Sequence, residues 1–206
     1  MPVEAVSLVA AGPPADAPCP GARRRRERPP SRSLWARGYV QVYTGDGKGK
    51  TTAALGLALR AAGAGLRVFI AQFAKGRASA EHAALGRFRD LIALRHYGGG
   101  RFLRGEPGPE DVRLAREGFL AARDAVMSGD YAVVVLDEAN VAARFGLFGV
   151  DDLLELIDRK PREVELVITG RWADPRVVAK ADLVTEMREV RHYHSRGVRA
   201  RAGIER

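Results

Sequence analysis

Residues 45–52 hold the densest chemistry in the chain: Gly45, Asp46, Gly47, Lys48, Gly49, Lys50, Thr51 and Thr52 in succession. Three glycines at alternate positions let consecutive backbone N–H groups turn towards one anion, where side chains would block the approach. Lys50 adds a full positive charge, and the Thr51 hydroxyl is placed to ligate a magnesium ion held between phosphates. One irregularity stands out. The usual phosphate-loop spacing has a glycine where this chain has Thr44, so its first glycine, Gly45, comes one residue late. The chemistry indicated is the binding of a nucleotide by its phosphates.

A second constellation lies at residues 131–140, YAVVVLDEAN. A β-branched run there ends in Asp137 and Glu138, which places acids at the carboxyl edge of a central strand. In open α/β sheets that edge is where ligands bind, and acids beside a phosphate loop commonly hold magnesium or its waters. The alternative is a helix N-cap with an adjacent surface acid. Arg171, at the end of VELVITGRW, falls on the same edge. His192 and His194 are spaced by two, but no third ligand of matching spacing accompanies them, so a strand or surface position is expected.

These residues need a scaffold that brings strand ends together. The run Tyr39, Val40, Gln41, Val42, Tyr43 reads as a strand and AALGLALRAAG as the following helix, with Leu55, Leu59 and Ala62 on one face and Gly63 and Gly65 ending it. Residues 66–73 are almost wholly apolar, as in a strand buried on both faces of a parallel sheet. A polar loop with a short helix, a third strand over 91–97 and a cationic glycine-rich loop come next. Pro109 opens a helix through Met127, with Val112, Ala115, Phe119, Ala122 and Val126 inward. VDDLLELIDRKP is an amphipathic helix, residues 175–180 a short one, and DLVTEM a last strand. Alternating βα units predict a three-layer α/β/α sandwich on a mostly parallel sheet.

Composition narrows the setting. The 206 residues suit one α/β domain, and 46% apolar content is ordinary for a globular protein. The single cysteine, Cys19, has no internal partner and no run is long enough to span a bilayer, so a reducing, cytoplasmic location is expected. The formal charge of +9 is concentrated at the two ends. Residues 1–37 carry seven arginines against Glu4, Asp16 and Glu27, and residues 187–206 carry six against Glu189 and Glu205. A basic rim of this kind suits an anionic small molecule as well as it suits a polynucleotide, and nucleic acid is not the expected partner. Residues 1–37 read as a disordered basic arm, either a solvated tail or a segment that orders over an anionic ligand, and residues 38–206 as the folded domain.

Taken together, the blocks TGDGKGKTTAALGLALRAAG, RVFIAQFAKG, VVVLDEAN, VITGRWADP and ADLVTEM with GVRARAGIE resemble the ATP:corrinoid adenosyltransferases of the phosphate-loop type. The resemblance runs from Gly38 onward, and the late first glycine is itself typical of that family. It implies a P-loop NTPase domain of the RecA-like kind. It implies transfer of the 5′-deoxyadenosyl group of ATP to the Co(I) centre of a reduced corrinoid (cob(I)alamin or cob(I)yrinic acid a,c-diamide), with release of triphosphate, in adenosylcobalamin biosynthesis or salvage. The cobalt is the nucleophile in that chemistry, so no Ser, Cys or His is needed for the role.

The resemblance also implies roles for individual residues. Lys50 and Glu138 would be catalytic, Thr51 and Glu138 would hold Mg²⁺, and residues 45–52 with Arg171 would contact ATP. The loop HYGGGRFLRGEP would face the corrin, with Tyr97, Phe102 and Arg104 as contacts; Leu103 and Arg104 stand where some members carry a tryptophan. An electron donor for Co(II) and a homodimer are implied partners, and the N-terminal arm resembles an extension that closes over a neighbouring subunit's site. Three rival readings remain at this level: a nucleic-acid-binding module using the two basic ends, a P-loop ATPase with Glu138 as general base, and a small-molecule kinase. The last two would cleave ATP to ADP.

Overall fold

The computed structural model describes residues 34–74, 80–99 and 105–205. Its strands are short and apolar: β1 Val40–Thr44, β2 Val68–Phe73, β3 Ile92–Tyr97, β4 Val133–Asp137, β5 Glu165–Thr169 and β6 Leu183–Glu186. They form one sheet in the order β3-β2-β4-β5-β1-β6, and every pairing is parallel. The expected mostly parallel sheet is therefore wholly parallel. One strand, β5, lies between β1 and β4, and it brings the end of β1 and the end of β4 to the same edge.

The helices are α1 Lys50–Gly63, α2 Ala80–Leu85, α3 Pro109–Met127, α4 Ala139–Arg144, α5 Val150–Arg159 and α6 Pro175–Lys180. Alternation along β4 shows how they form two layers. Val134 and Leu136 join a core with residues of α3, α4, α5 and α6, such as Phe119, Ala142, Leu153 and Val177. Val133 and Val135 join the other core, with Ala54, Leu55, Ala58 and Ala62 of α1. Successive strand residues point to opposite faces, so a continuous apolar run is what a sheet covered on both sides requires.

Two helix details differ from the sequence expectation. Leu59, which the sequence groups with Leu55 and Ala62 on one face of α1, is 42% exposed while those two are buried. The inward face is built instead from Ala54, Ala58, Ala61 and Ala62 with Leu55, small residues that let the helix sit close to the strands. The short α4 follows β4 with no connecting loop, and no periodic pattern in so few residues announced it.

Gly118 lies in the interior of α3, where glycine lowers helix propensity. A Cβ there would come 2.4 Å from Cγ of Tyr97, so its absence lets α3 press against the end of β3. Ahead of β1, the Trp35 indole N–H donates to the Glu163 carbonyl (2.9 Å) and its ring packs on the α1-side core, which docks this short segment against the domain. At the far edge β6 is exposed along its length.

Candidate functional site

The loop between β1 and α1 takes its shape from two left-handed glycines, Gly45 (φ 89°) and Gly49 (φ 122°). Only glycine adopts these values without strain. Gly49 is the N-cap of α1, and no acid stands in the first turn of that helix. No acidic side chain of that turn offsets the positive end of the helix at the loop, an arrangement that favours phosphate binding.

Lys50 is 7% exposed and its ammonium bridges the loop, donating to the carbonyls of Gly45 (2.6 Å) and Gly47 (2.7 Å). Burial pushes its pKa below the ordinary lysine value, against the opposing field of Glu138; Arg171 lowers it further, and Asp46 and Asp137 raise it. A polyphosphate seated here favours the charged ammonium. ATP affinity is therefore expected to fall as pH rises through this lowered pKa, earlier than an ordinary lysine would allow. Binding on that limb takes up a proton. Calorimetric titration in two buffers of different ionisation enthalpy reads the uptake, and an affinity that stays flat up to the ordinary lysine range would contradict it.

The acid that meets Thr51 is Asp137. The Thr51 hydroxyl donates to its carboxylate at 2.9 and 3.2 Å, Thr169 Oγ1 donates at 2.7 Å, and Gln72 Nε2 donates at 2.9 Å. Asp137 and Gln72 are both fully buried and are register partners on β4 and β2. The Gln72 Oε1 atom is buried with no hydrogen-bond partner.

Glu138, one residue on, turns away through a left-handed backbone (φ 64°) as the N-cap of α4. Its N–H donates to Thr169 Oγ1 (3.0 Å), and its carboxylate is half-buried and close enough to act on Lys50. It occupies the N-cap of α4 by its backbone, with no side-chain cap hydrogen bond, and its charge acts on Lys50. Gln72 was not singled out from the sequence, and VELVITGRW sets Thr169 at this edge without giving its hydroxyl a role. The signal for Gln72 was a lone polar residue inside the apolar run VFIAQF.

Arg171 reaches the loop, where Nη2 donates to the Asp46 carbonyl (3.0 Å) and Nε lies 3.9 Å from Oδ1 of the same residue. Thr52 is exposed on the outer side of α1. The segment after β6 also enters the site. Met187 N–H donates to the Thr44 carbonyl (2.8 Å), and the Met187 carbonyl accepts from Gly47 N–H (2.6 Å). A Cβ on Gly47 would lie 2.7 Å from that carbonyl. Gly47 is thus glycine because another backbone crosses it, and its N–H is engaged there rather than aimed at an anion.

Tyr97 ends β3, its ring stacked on Phe73 (centroids 6.2 Å apart) and half-buried against Gly118. Burial raises its phenol pKa, against Arg95 and with Glu117. Phe102 and Arg104 lie outside the described residues, as do residues 1–33 of the arm. His192 caps a 3₁₀ turn that contains His194, and its Nδ1 accepts from His194 N–H (3.0 Å). Among the described residues no group of three His, Cys, Asp or Glu side chains is arranged to hold a metal.

Comparison with known proteins bears on what such a site does. Residues 36–206 match the family model described as ATP:corrinoid adenosyltransferase BtuR/CobO/CobP. The chain is 36% identical to the corrinoid adenosyltransferase of Pseudomonas aeruginosa, over 82% of this chain and 84% of that protein. It is 31% identical to the corrinoid adenosyltransferase of Escherichia coli K12, over 82% and 86%. It is 33% identical to the corrinoid adenosyltransferase CobA of Salmonella typhimurium, over the same shares.

Proposed function

The chain belongs to the ATP:corrinoid adenosyltransferase family, and from that premise we propose how its residues carry out the reaction. The enzyme transfers the 5′-deoxyadenosyl group of ATP to the Co(I) centre of a reduced corrinoid and releases triphosphate, a step in adenosylcobalamin biosynthesis. The bond that forms is cobalt–carbon, and the bond that breaks joins C5′ to the triphosphate oxygen. Both electrons of the broken bond leave with the triphosphate. ATPase and kinase readings of the same loop are not favoured by this membership.

The observation that carries the proposal is the buried Lys50 ammonium set between two loop carbonyls at the start of α1. Charge grows on the departing triphosphate in the transition state, and a donor already desolvated and oriented there stabilises it more than water does. Arg171 on the Asp46 side of the loop and the N-terminal turn of α1 supplement it. The Thr51 and Thr169 hydroxyls both donate to Asp137 and so hold the carboxylate in place.

Magnesium fits this donor set. A hydroxyl and a buried carboxylate beside a polyphosphate site are hard oxygen ligands, and Mg²⁺ in such sites takes few protein ligands plus phosphates and water. The unsatisfied Gln72 Oε1 next to Asp137 is a further acceptor for a bound water. Thr51 would hold the ion directly, with Asp137 or Glu138 supplying the carboxylate. When bound, the ion neutralises charge on the triphosphate.

An electron donor that supplies Co(I), a homodimeric assembly and a cytoplasmic location complete the proposal; no helix among the described residues is long and apolar enough to cross a membrane. Tyr97 and, outside the described residues, Phe102 and Arg104 are proposed for the corrin side. The deciding experiment is anaerobic incubation with ATP, Mg²⁺ and chemically reduced corrinoid. Loss of the Co(I) absorbance matched by tripolyphosphate is expected. ADP and orthophosphate beside an unalkylated corrin would overturn the proposal.

A further inference from the structure

Beyond Met187, the segment after β6 returns to the phosphate loop a second time. Lys48 Nζ donates to the Ile204 carbonyl (2.9 Å) and lies 3.8 Å from Glu205 Oε1. Glu205 is itself held on several sides. It accepts from the Tyr193 hydroxyl, from Arg201 N–H (2.8 Å) and from Arg201 Nη2 (3.1 Å). The Arg201 guanidinium sits 5.0 Å over the Tyr193 ring. These hydrogen bonds, those from Arg201 and Tyr193 first, bring the Glu205 carboxyl down to about 2, so it is ionised across the working pH range.

Lys48 is the extra cation of this loop. Its side chain is 44% exposed, whereas that of Glu205 is 15% exposed. A lone exposed lysine spreads over many rotamers and loses that freedom whenever it must meet a phosphate. Here one donor of the ammonium is fixed on a carbonyl and a second group of opposite charge stands behind it, which leaves the remaining donors at the rim of the loop. An isolated exposed ion pair contributes little. The direction of the ammonium comes from the Ile204 carbonyl, and Glu205 holds that carbonyl's turn against Tyr193 and Arg201.

Building on the adenosyltransferase reading, we propose that Glu205 is a positioning residue for ATP, acting through Lys48 to set the loop's second cation before the polyphosphate arrives. Residues 187–205 are on this view part of the nucleotide site and not a trailing end. The contacts join positions more than 150 apart in sequence, and local pattern gives no sign of them.

The test is a double-variant cycle on the full chain. Glu205→Gln is expected to raise KM for ATP about three- to tenfold, with kcat within about twofold, because ordering one long side chain is returned to the binding step. Glu205→Asp should recover part of that affinity. Lys48→Ala should raise KM by a similar factor, and adding Glu205→Gln to it should change little more. Tyr193→Phe, a milder change that loosens the same carboxylate, should shift KM in the same direction by less.

Independent factors in the double variant, an unchanged KM in Glu205→Gln, or a loss confined to kcat would each overturn the inference. Calorimetric binding of tripolyphosphate, which needs no corrinoid, is measured on the same proteins. Wild-type protein that binds tripolyphosphate but transfers no adenosyl group defeats the activity reading alone, and the Glu205 comparison is then decided on the binding data.

Discussion

Lys50→Ala is expected to lower kcat/KM for adenosyl transfer by about 10²–10³-fold or more, the scale of losing one preorganised donor at a site of developing charge. The side chain is buried and donates to Gly45 and Gly47, so two consequences combine. The departing triphosphate loses its nearest full charge, and the two loop carbonyls lose the group that draws them together. Lys50→Arg should not rescue it, since a planar fork does not fit where a compact ammonium meets two carbonyls at 2.6 and 2.7 Å. Single-turnover measurement with saturating reduced corrinoid separates the chemical loss from weaker ATP binding. Near wild-type turnover in Lys50→Ala would mean that leaving-group stabilisation comes from elsewhere.

The second large effect is expected at Asp137. Its carboxylate accepts from Thr51, Thr169 and Gln72 and is shut away from water. Asp137→Ala leaves those donors without an acceptor and should compromise the fold itself. Asp137→Asn is the informative change. The threonine hydroxyls can rotate, and the Gln72 amide can turn its unsatisfied Oε1 towards the new NH₂ group, so the shape survives while the charge is lost. Turnover should fall about 10- to 100-fold, in the range seen when groups that support a metal are altered. The Mg²⁺ concentration for half-maximal rate should rise, while affinity for metal-free tripolyphosphate holds or improves. Thermal unfolding checks that the variant is folded. An unaltered Mg²⁺ dependence would assign the carboxylate role to Glu138 alone.

Local signals suffice for the α/β class, the phosphate loop, the order of the elements and the blocks that lead to the family. Apolar runs of strand length, glycines before Lys50 and Thr51, and Pro109 at the start of a long helix are legible without knowing what lies across the sheet. Which side chains meet is settled only when the sheet assembles. Asp137 and Glu138 are neighbours in sequence, and only the left-handed turn at Glu138 together with the pairing of Asp137 with Gln72 sends the first towards Thr51. Leu59 shares a face with Leu55 and Ala62 in the sequence pattern but stays outside the buried face of α1 for a related reason: closeness to the sheet favoured small residues over the larger apolar one. The segment after β6 shows its positive charge in sequence, yet Met187, Ile204 and Glu205 contact a loop that lies 140 to 157 positions earlier. Contacts at that separation are fixed by chain topology and by which backbone groups find partners when the sheet assembles, and a local pattern holds no record of either.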